Sequence, residues 1–319
     1  MNNLIKRITF FSFIVLPSLS AHSQSETASP SLKEILDHAS ARSREYVDTF
    51  KNLSADETKT FVIYKKNGDE KKRKAVRSLF LVVQLTKEPD RVVEFRNVVS
   101  VDGKVVENGD KRAQGLFEKL ANAETSEAEI RRLSNEGSRY DEQIYISGMT
   151  LFQTPSLDPD LRPYFQFVFG PANTINGRTA YTVHYSQMRE TPKISVNGSG
   201  GKSPSASGHS YDIEVDKEVP LNARLSGTLV IDAESFRILS ETRQLTIQPE
   251  GFDRPAIAIE DRFAFQESNF GIYTPKRITH AQFKAKVKDR EMVKEAEITF
   301  DYGSFTRADV EVKSGEIKP

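Results

Sequence analysis

The apolar positions of this chain change period once, near residue 58, and the change separates one helical stretch from a long run of strands. In LKEILDHASARSREYVDTFKN, apolar residues fall at Leu32, Ile35, Leu36, Ala39, Tyr46, Val47 and Phe50, with the small Ser43 filling the gap. This is the three- and four-residue spacing of one helix face. Ser31 precedes the run and Glu34 stands three residues on, a capping box that predicts a helix over 31–51. Its apolar side needs a surface to cover.

From Thr58 onward the period is mostly two. TFVIYKKNGDEKKRKAVRSLFLVVQL reads as strand, Asn67-Gly68 turn, strand, and RVVEFRNVVSVDGKVV repeats this around Asp102-Gly103. Both dipeptides accept the positive φ angles of tight hairpins. Short helices are predicted at 110–122 and 126–138, the second opening on the capping box of Ser126 and Glu129. The alternation then resumes: YFQFVF sets Phe165, Phe167 and Phe169 on one side, and TAYTVHYS follows a turn at Asn176-Gly177. FKAKVK alternates Phe283, Ala285 and Val287 with lysines, and EAEITFDY sets Ala296, Ile298, Phe300 and Tyr302 against polar residues. Strands with one dry and one wet face belong to antiparallel sheets. The count is ten or eleven, so the fold class is mainly β (α+β): a single large curved antiparallel sheet or open barrel. NGSGGKSPSASGHS, 197–210, reads as a flexible Ser/Gly loop.

The beginning of the chain carries a different pattern. Lys6 and Arg7 precede an apolar run from Ile8 to Leu16, and Ala21 and Ser23 occupy the small-residue positions of a cleavage site. That is a secretory signal peptide over 1–23, leaving 24–319 as one domain. No later segment approaches the ~20 apolar residues of a membrane helix, so no transmembrane span is expected in the mature chain. With no cysteine, the chain has no lipid-modified cysteine and no disulfides. The expected location is the periplasm or outside the cell. The 45 basic and 45 acidic residues become 43 and 45 without Lys6 and Arg7, a net of −2 that argues against nucleic acid as a partner.

Candidate chemistry is sparse. GSGGKS, 198–203, imitates the end of a phosphate-binding loop, but Val196 stands where glycine is required and Pro204 follows where a helix should start. Beyond His22, the histidines His38, His184, His209 and His280 form no local metal-binding spacing. A G-x-S-x-G elbow is missing, and so is any thiol. No catalytic residue, cofactor or metal is assigned. The densest charge run, KKNGDEKKRKAVR, places Lys71, Lys72, Arg73 and Lys74 beside a hairpin tip, a candidate docking patch for an envelope protein or an anionic membrane surface. The 20 Phe and 10 Tyr set against no Trp load the dry side of the strands with rings. Such a face either packs on the helix at 31–51 or leaves a concave apolar surface for an acyl chain.

RLSGTLVIDAESFRILSETRQLTI, Arg224 to Ile247, resembles the G-x-[LV]-[WV]-[IV]-D-x-x-[ST] hairpin of LolA-type periplasmic lipoprotein carriers, with Val230 where many members have Trp. Further pieces are similar to a group of secreted bacterial proteins with such hairpins: EGSRY (136–140), TP (154–155), ETP (190–192), YTPKRI (273–278) and the closing ITFDYGSFTRADVEV (298–312). The resemblance implies an open half-barrel whose concave face is covered by the N-terminal and short helices, an apolar cavity between them, and binding without reaction. This chain is longer than a typical carrier and has the extra loop at 197–210. The expectation is a non-enzymatic binder of a lipid, lipoprotein or other apolar ligand, lined by Phe165, Phe167, Phe169, Leu229, Ile231, Phe263 and Phe265, with the helix as lid. The alternatives are an envelope scaffold or sensing protein docking through the basic hairpin, and an envelope hydrolase with polar groups converging in a cleft.

Overall fold

The computed structural model describes residues 30–85, 92–122, 127–142, 154–175, 177–190, 194–197, 209–212, 221–286 and 291–307. The signal-peptide region, Asn176, the centre of the Ser/Gly loop and the residues after 307 lie outside these. Every element belongs to the compact unit Leu32–Pro319.

The predicted helix is α1 (Leu32–Thr49). It is followed by β1 (Leu53–Tyr64), β2 (Glu70–Gln84), β3 (Val92–Val101) and the short β4 (Lys104–Val105). Helices α2 (Gly109–Asn122) and α3 (Glu127–Gly137) come next, within a residue or so of their predicted bounds. Two 3-10 turns, Pro155–Leu157 and Arg162–Tyr164, lead into β5 (Phe165–Phe169), β6 (Asn173–Ile175) and β7 (Arg178–Gln187). After β8 (Ile194–Asn197) and β9 (His209–Asp212), the chain runs through β10 (Leu221–Asp232), β11 (Ile238–Pro249), β12 (Ile257–Glu267), β13 (Tyr273–Ala285), β14 (Met292–Tyr302) and β15 (Thr306–Arg307).

Thirteen of these strands form one antiparallel sheet in the order β4-β3-β2-β1-β14-β13-β12-β11-β10-β7-β5, with β15 on β1 and β6 on β7. The sheet is an open half-barrel: its edges, β4 and β5, are not paired with each other. Fifteen strands are described against the ten or eleven expected; eleven lie on the main path, and the rest are short. The join that no local pattern announces is β1 on β14, with Glu57 opposite Tyr302 and Ile63 opposite Ala296. Bulges between β2 and β3, β10 and β11, β12 and β13, and β13 and β14 break the register, and each adds twist and bend to the strand that carries it.

Two local expectations are refined. Asp102 (φ 48°) and Gly103 (φ 78°) both take left-handed angles, the two-residue loop expected there. At Asn67-Gly68 only Gly68 (φ 89°) does, and the Lys65 N–H donates to the Asp69 carbonyl at 2.8 Å, closing a three-residue loop. The ends of the 197–210 stretch are ordered, which corrects the reading of all of it as linker: β8 and β9 pair in parallel, Ile194 opposite His209 and Asn197 opposite Asp212. Tyr211 and Asp212 extend the strand beyond the serine-rich run, so His209 sits in a strand.

Register assigns the faces. Phe61, Val76, Phe80, Phe300, Ile278, Phe263, Leu245 and Leu229 share the inner face, which is covered by Ile35, Leu36 and Ala39 of α1 and by Phe50 just after it. Two clusters result: one beneath the last turns of α1, around Phe50, Phe80 and Phe300, and one beneath its first turns, around Ile35, Leu225 and Leu229. Helices α2 and α3 pack elsewhere. Leu133 and Ala113 cover Val93 and Phe95, which alternate with the inward Glu94 and Arg96 and so face the opposite side of β3. β3 is dry on both sides, so both need cover, and the two short helices serve the outer one.

Candidate functional site

A row of polar side chains crosses the inner face beneath α1. Glu241 and Arg243 on β11, Asp261 on β12 and His280 on β13 occupy dry positions of the alternation, and all are buried. Arg243 donates to Glu241 through Nη2 (2.8 Å) and Nε (3.1 Å). The Tyr185 hydroxyl donates to Glu241 Oε1 at 2.6 Å and the Thr154 hydroxyl to Oε2 at 2.9 Å. The Arg243 guanidinium lies 4.9 Å over the Phe263 ring, and His280 Nδ1 is 2.6 Å from Asp261 Oδ1.

Tyr185 is on β7 and Glu241 two strands away on β11, so its ring must cross β10. The residue it crosses is Gly227, which registers against both Tyr185 and Arg243. A Cβ at Gly227 would stand 2.5 Å from the tyrosine oxygen and 2.3 Å from the Thr242 carbonyl. The glycine of the hairpin motif is therefore a passage for a side chain. The aspartate of the same motif, Asp232, accepts from the Ser235 N–H (2.7 Å), the Ser235 hydroxyl (2.9 Å) and the Glu234 N–H (3.1 Å), which fixes the turn.

Polar groups thus do converge from separate strands, as a hydrolase would need. His280 Nε2, where a nucleophile would have to stand, faces the Gln282 amide at 3.3 Å, and Glu241 is held by three partners. A second buried group lies over β1 and β3. Arg96 Nε sits 2.9 Å from Glu57 and its Nη1 3.2 Å from Glu94, while Lys59 pairs with Asp141. Burial, and then the neighbouring Arg96, hold the Lys59 ammonium below its ordinary pKa, and Asp141 opposes them.

Open space lies at the two ends of α1. Toward its C-terminal end a small cavity of about 60 Å³ is bounded by Ser43, Tyr46, Thr154, Phe265 and Tyr273. It has room for a few waters, not for an acyl chain. At its N-terminal end a groove of about 600 Å³ opens to solvent between α1, Pro159, the second 3-10 turn and strand β5. Its apolar lining is Leu32, Leu36, Pro159, Pro163, Phe165 and Phe167. The volume is that of a small-molecule site. Between these openings α1 rests on the two apolar clusters.

Of the residues expected to line a cavity, Phe165 and Phe167 do line the groove, and Phe265 borders the small cavity. Leu229, Ile231 and Phe263 are packed within the clusters under α1, and Phe169, further along β5, is exposed. The polar row was legible only as charged residues at dry positions in SETRQLTI and IEDRFAF. On the basic hairpin, Lys72 (2.8 Å) and Lys74 (3.1 Å) both pair with Glu142, Arg73 pairs with Glu70, and Lys71 is exposed. Much of that patch is neutralised within the chain.

No protein-family model and no curated protein matches this chain. Solved structures similar to it include a putative outer membrane lipoprotein-sorting protein domain from Vibrio parahaemolyticus, 8% identical over 88% of this chain and 94% of that one, with a TM-score of 0.33. A DUF1329 family protein from Desulfovibrio piger is 11% identical over 87% and 93%, with a TM-score of 0.28. A LolA superfamily protein from Nitrosomonas europaea is 10% identical over 88% and 94%, with a TM-score of 0.27. No helix among the described residues is long and apolar enough to cross a membrane.

Proposed function

We propose that this chain is an exported, non-enzymatic binding protein of the cell envelope that holds a lipid, an acyl chain or another apolar ligand. In this reading residues 1–23 direct export and 24–319 form a single half-barrel domain. The observation that carries the reading is the groove of about 600 Å³ at the start of α1, open to solvent and lined mainly by apolar side chains. Phe165 and Phe167 are its wall, and Phe169 continues the apolar strip along the edge strand. Leu229, Ile231, Phe263 and Phe265 lie deeper, where a chain reaches them only as α1 lifts. Each buried methylene contributes about 0.8 kcal/mol, so about ten of them supply about 8 kcal/mol before ordering and association costs.

Organic extraction of the purified protein, followed by mass spectrometry, tests this. The expected result is co-purifying acyl species at a fixed ratio to protein, together with saturable uptake of a fluorescent fatty acid. A protein free of lipid that also fails to take up the probe overturns the proposal.

A further inference from the structure

We infer that the ligand of the groove is a single-chain amphiphile with an anionic head, a fatty carboxylate, and that Lys33 and Arg162 hold that head at the mouth. The inference rests on the binding role proposed above and names the class of molecule bound.

The charge of the lining is one-sided. The charged side chains that line the groove are Lys33, from the first turn of α1, and Arg162, from the second 3-10 turn, and no carboxylate lines it. They approach from opposite walls, one on the helix and one on the segment leading into β5. Both reach the same acid, Asp37, one helical turn beyond Lys33: Lys33 Nζ is 2.7 Å from Oδ2 and Arg162 Nη1 is 2.6 Å from Oδ1. Two cations share one carboxylate at the mouth of an otherwise apolar groove. The two contacts, that of Lys33 first, hold the Asp37 carboxyl down to about 2, so it stays ionised throughout the working pH range. The pattern is therefore a cation pair, pre-arranged by an internal anion, at the rim of a trough sized for a small molecule. A ligand with an apolar tail and a carboxylate would lay the tail against Phe165, Phe167 and Leu36. Its head would then add to, or displace, Asp37 between the two cations. A neutral alcohol of the same length gains the first term only, and a cationic amphiphile meets repulsion.

The experiment compares palmitate with palmityl alcohol by displacement of a neutral fluorescent alkyl probe from the purified protein. Palmitate should bind about two- to fivefold more tightly at low salt, the range of a partly exposed charge contact. The difference should shrink as salt rises, while the affinity for the alcohol holds. Lys33→Gln and Arg162→Gln should bring palmitate down to the level of the alcohol. Asp37→Asn, which removes the competing carboxylate, should raise palmitate affinity and leave the alcohol alone. Lys33 is largely exposed, so Lys33→Gln keeps the fold, and alcohol binding reports that directly. Equal affinities for palmitate and the alcohol in the unaltered protein overturn this inference and leave the groove as a neutral apolar site. Binding of neither overturns the binding role itself.

Discussion

At the scale of single residues, the most informative position is one without a side chain. Gly227 lies mid-strand, where glycine is otherwise a cost, because the Tyr185 ring passes over it to reach Glu241. Gly227→Ala would force a methyl group into the phenol and into the Thr242 carbonyl, a backbone atom that cannot step aside. The expected loss is about 3 kcal/mol or more, a clash plus a buried carboxylate deprived of a donor. Tyr185→Phe loses only the donor, about 1–3 kcal/mol. Urea unfolding of both variants checks the order, and an alanine variant as stable as the parent contradicts the packing described. Asp37 supplies a pH-dependent case. Its folded pKa lies below the unfolded value, so its contribution to stability is present above the unfolded pKa, near 4, and fades as pH falls toward about 2. Asp37→Asn should therefore lower stability at pH 7, flatten the acid limb of the stability–pH profile between those limits, and converge with the parent at the acid end. A profile unaltered by the substitution would show that the contacts to Lys33 and Arg162 do not form in solution.

At the scale of elements, α1 is a strap across the sheet, fastened at several points along its length. Ser40 donates to the Leu157 carbonyl at 2.7 Å, Arg42 to the Ser235 carbonyl at 3.2 Å, and His38 stacks on Phe236 at 4.6 Å. Phe236 takes φ 57°, a left-handed angle that costs a bulky residue energy, and the stack on α1 holds it there. If α1 must lift for a long chain to pass, weakening a fastener should speed exchange. Ser40→Ala leaves the buried Leu157 carbonyl without its donor, a loss of about 1–3 kcal/mol. Stopped-flow release of a bound fluorescent fatty acid should accelerate about tenfold, with a smaller change in affinity. An unchanged release rate means that the ligand leaves along the open side of the groove with α1 in place. The elements themselves were legible: the helix from its apolar spacing, the Asp102-Gly103 turn from its residue types, and the strands from alternation. What alternation does not carry is which strands meet. The β1–β14 junction joins residues more than two hundred positions apart, and nothing in either strand names the other. Likewise VVEFRNVV sets Val93 and Phe95 opposite Glu94 and Arg96 without showing that α2 and α3 cover the apolar side.

At the scale of the whole molecule, the half-barrel sets a closed interior beside an open edge. Beneath α1 the rings that sequence spacing placed on one dry face fill the space they enclose, and the polar row from Glu241 to His280 ties the strands together without leaving reactive groups exposed. The open groove lies where the described sheet ends, at β5, which among the described strands pairs only with β7. The candidate lining divides accordingly. Phe165 and Phe167 belong to the groove, and Leu229, Ile231 and Phe263 to the interior. Periodicity assigns all five to one face and is blind to how far each lies from the edge.

The chain contains no tryptophan, so a single introduced indole reports on one place only. Phe167→Trp puts it in the wall of the groove, and Leu79→Trp puts it on the exposed outer side of β2. Titration of each variant with a bromine-labelled fatty acid, reading tryptophan fluorescence, measures where the chain binds. Binding in the groove predicts strong, saturable quenching at position 167 and none at position 79. Quenching equal at the two positions, or at neither while the acid still binds, contradicts it.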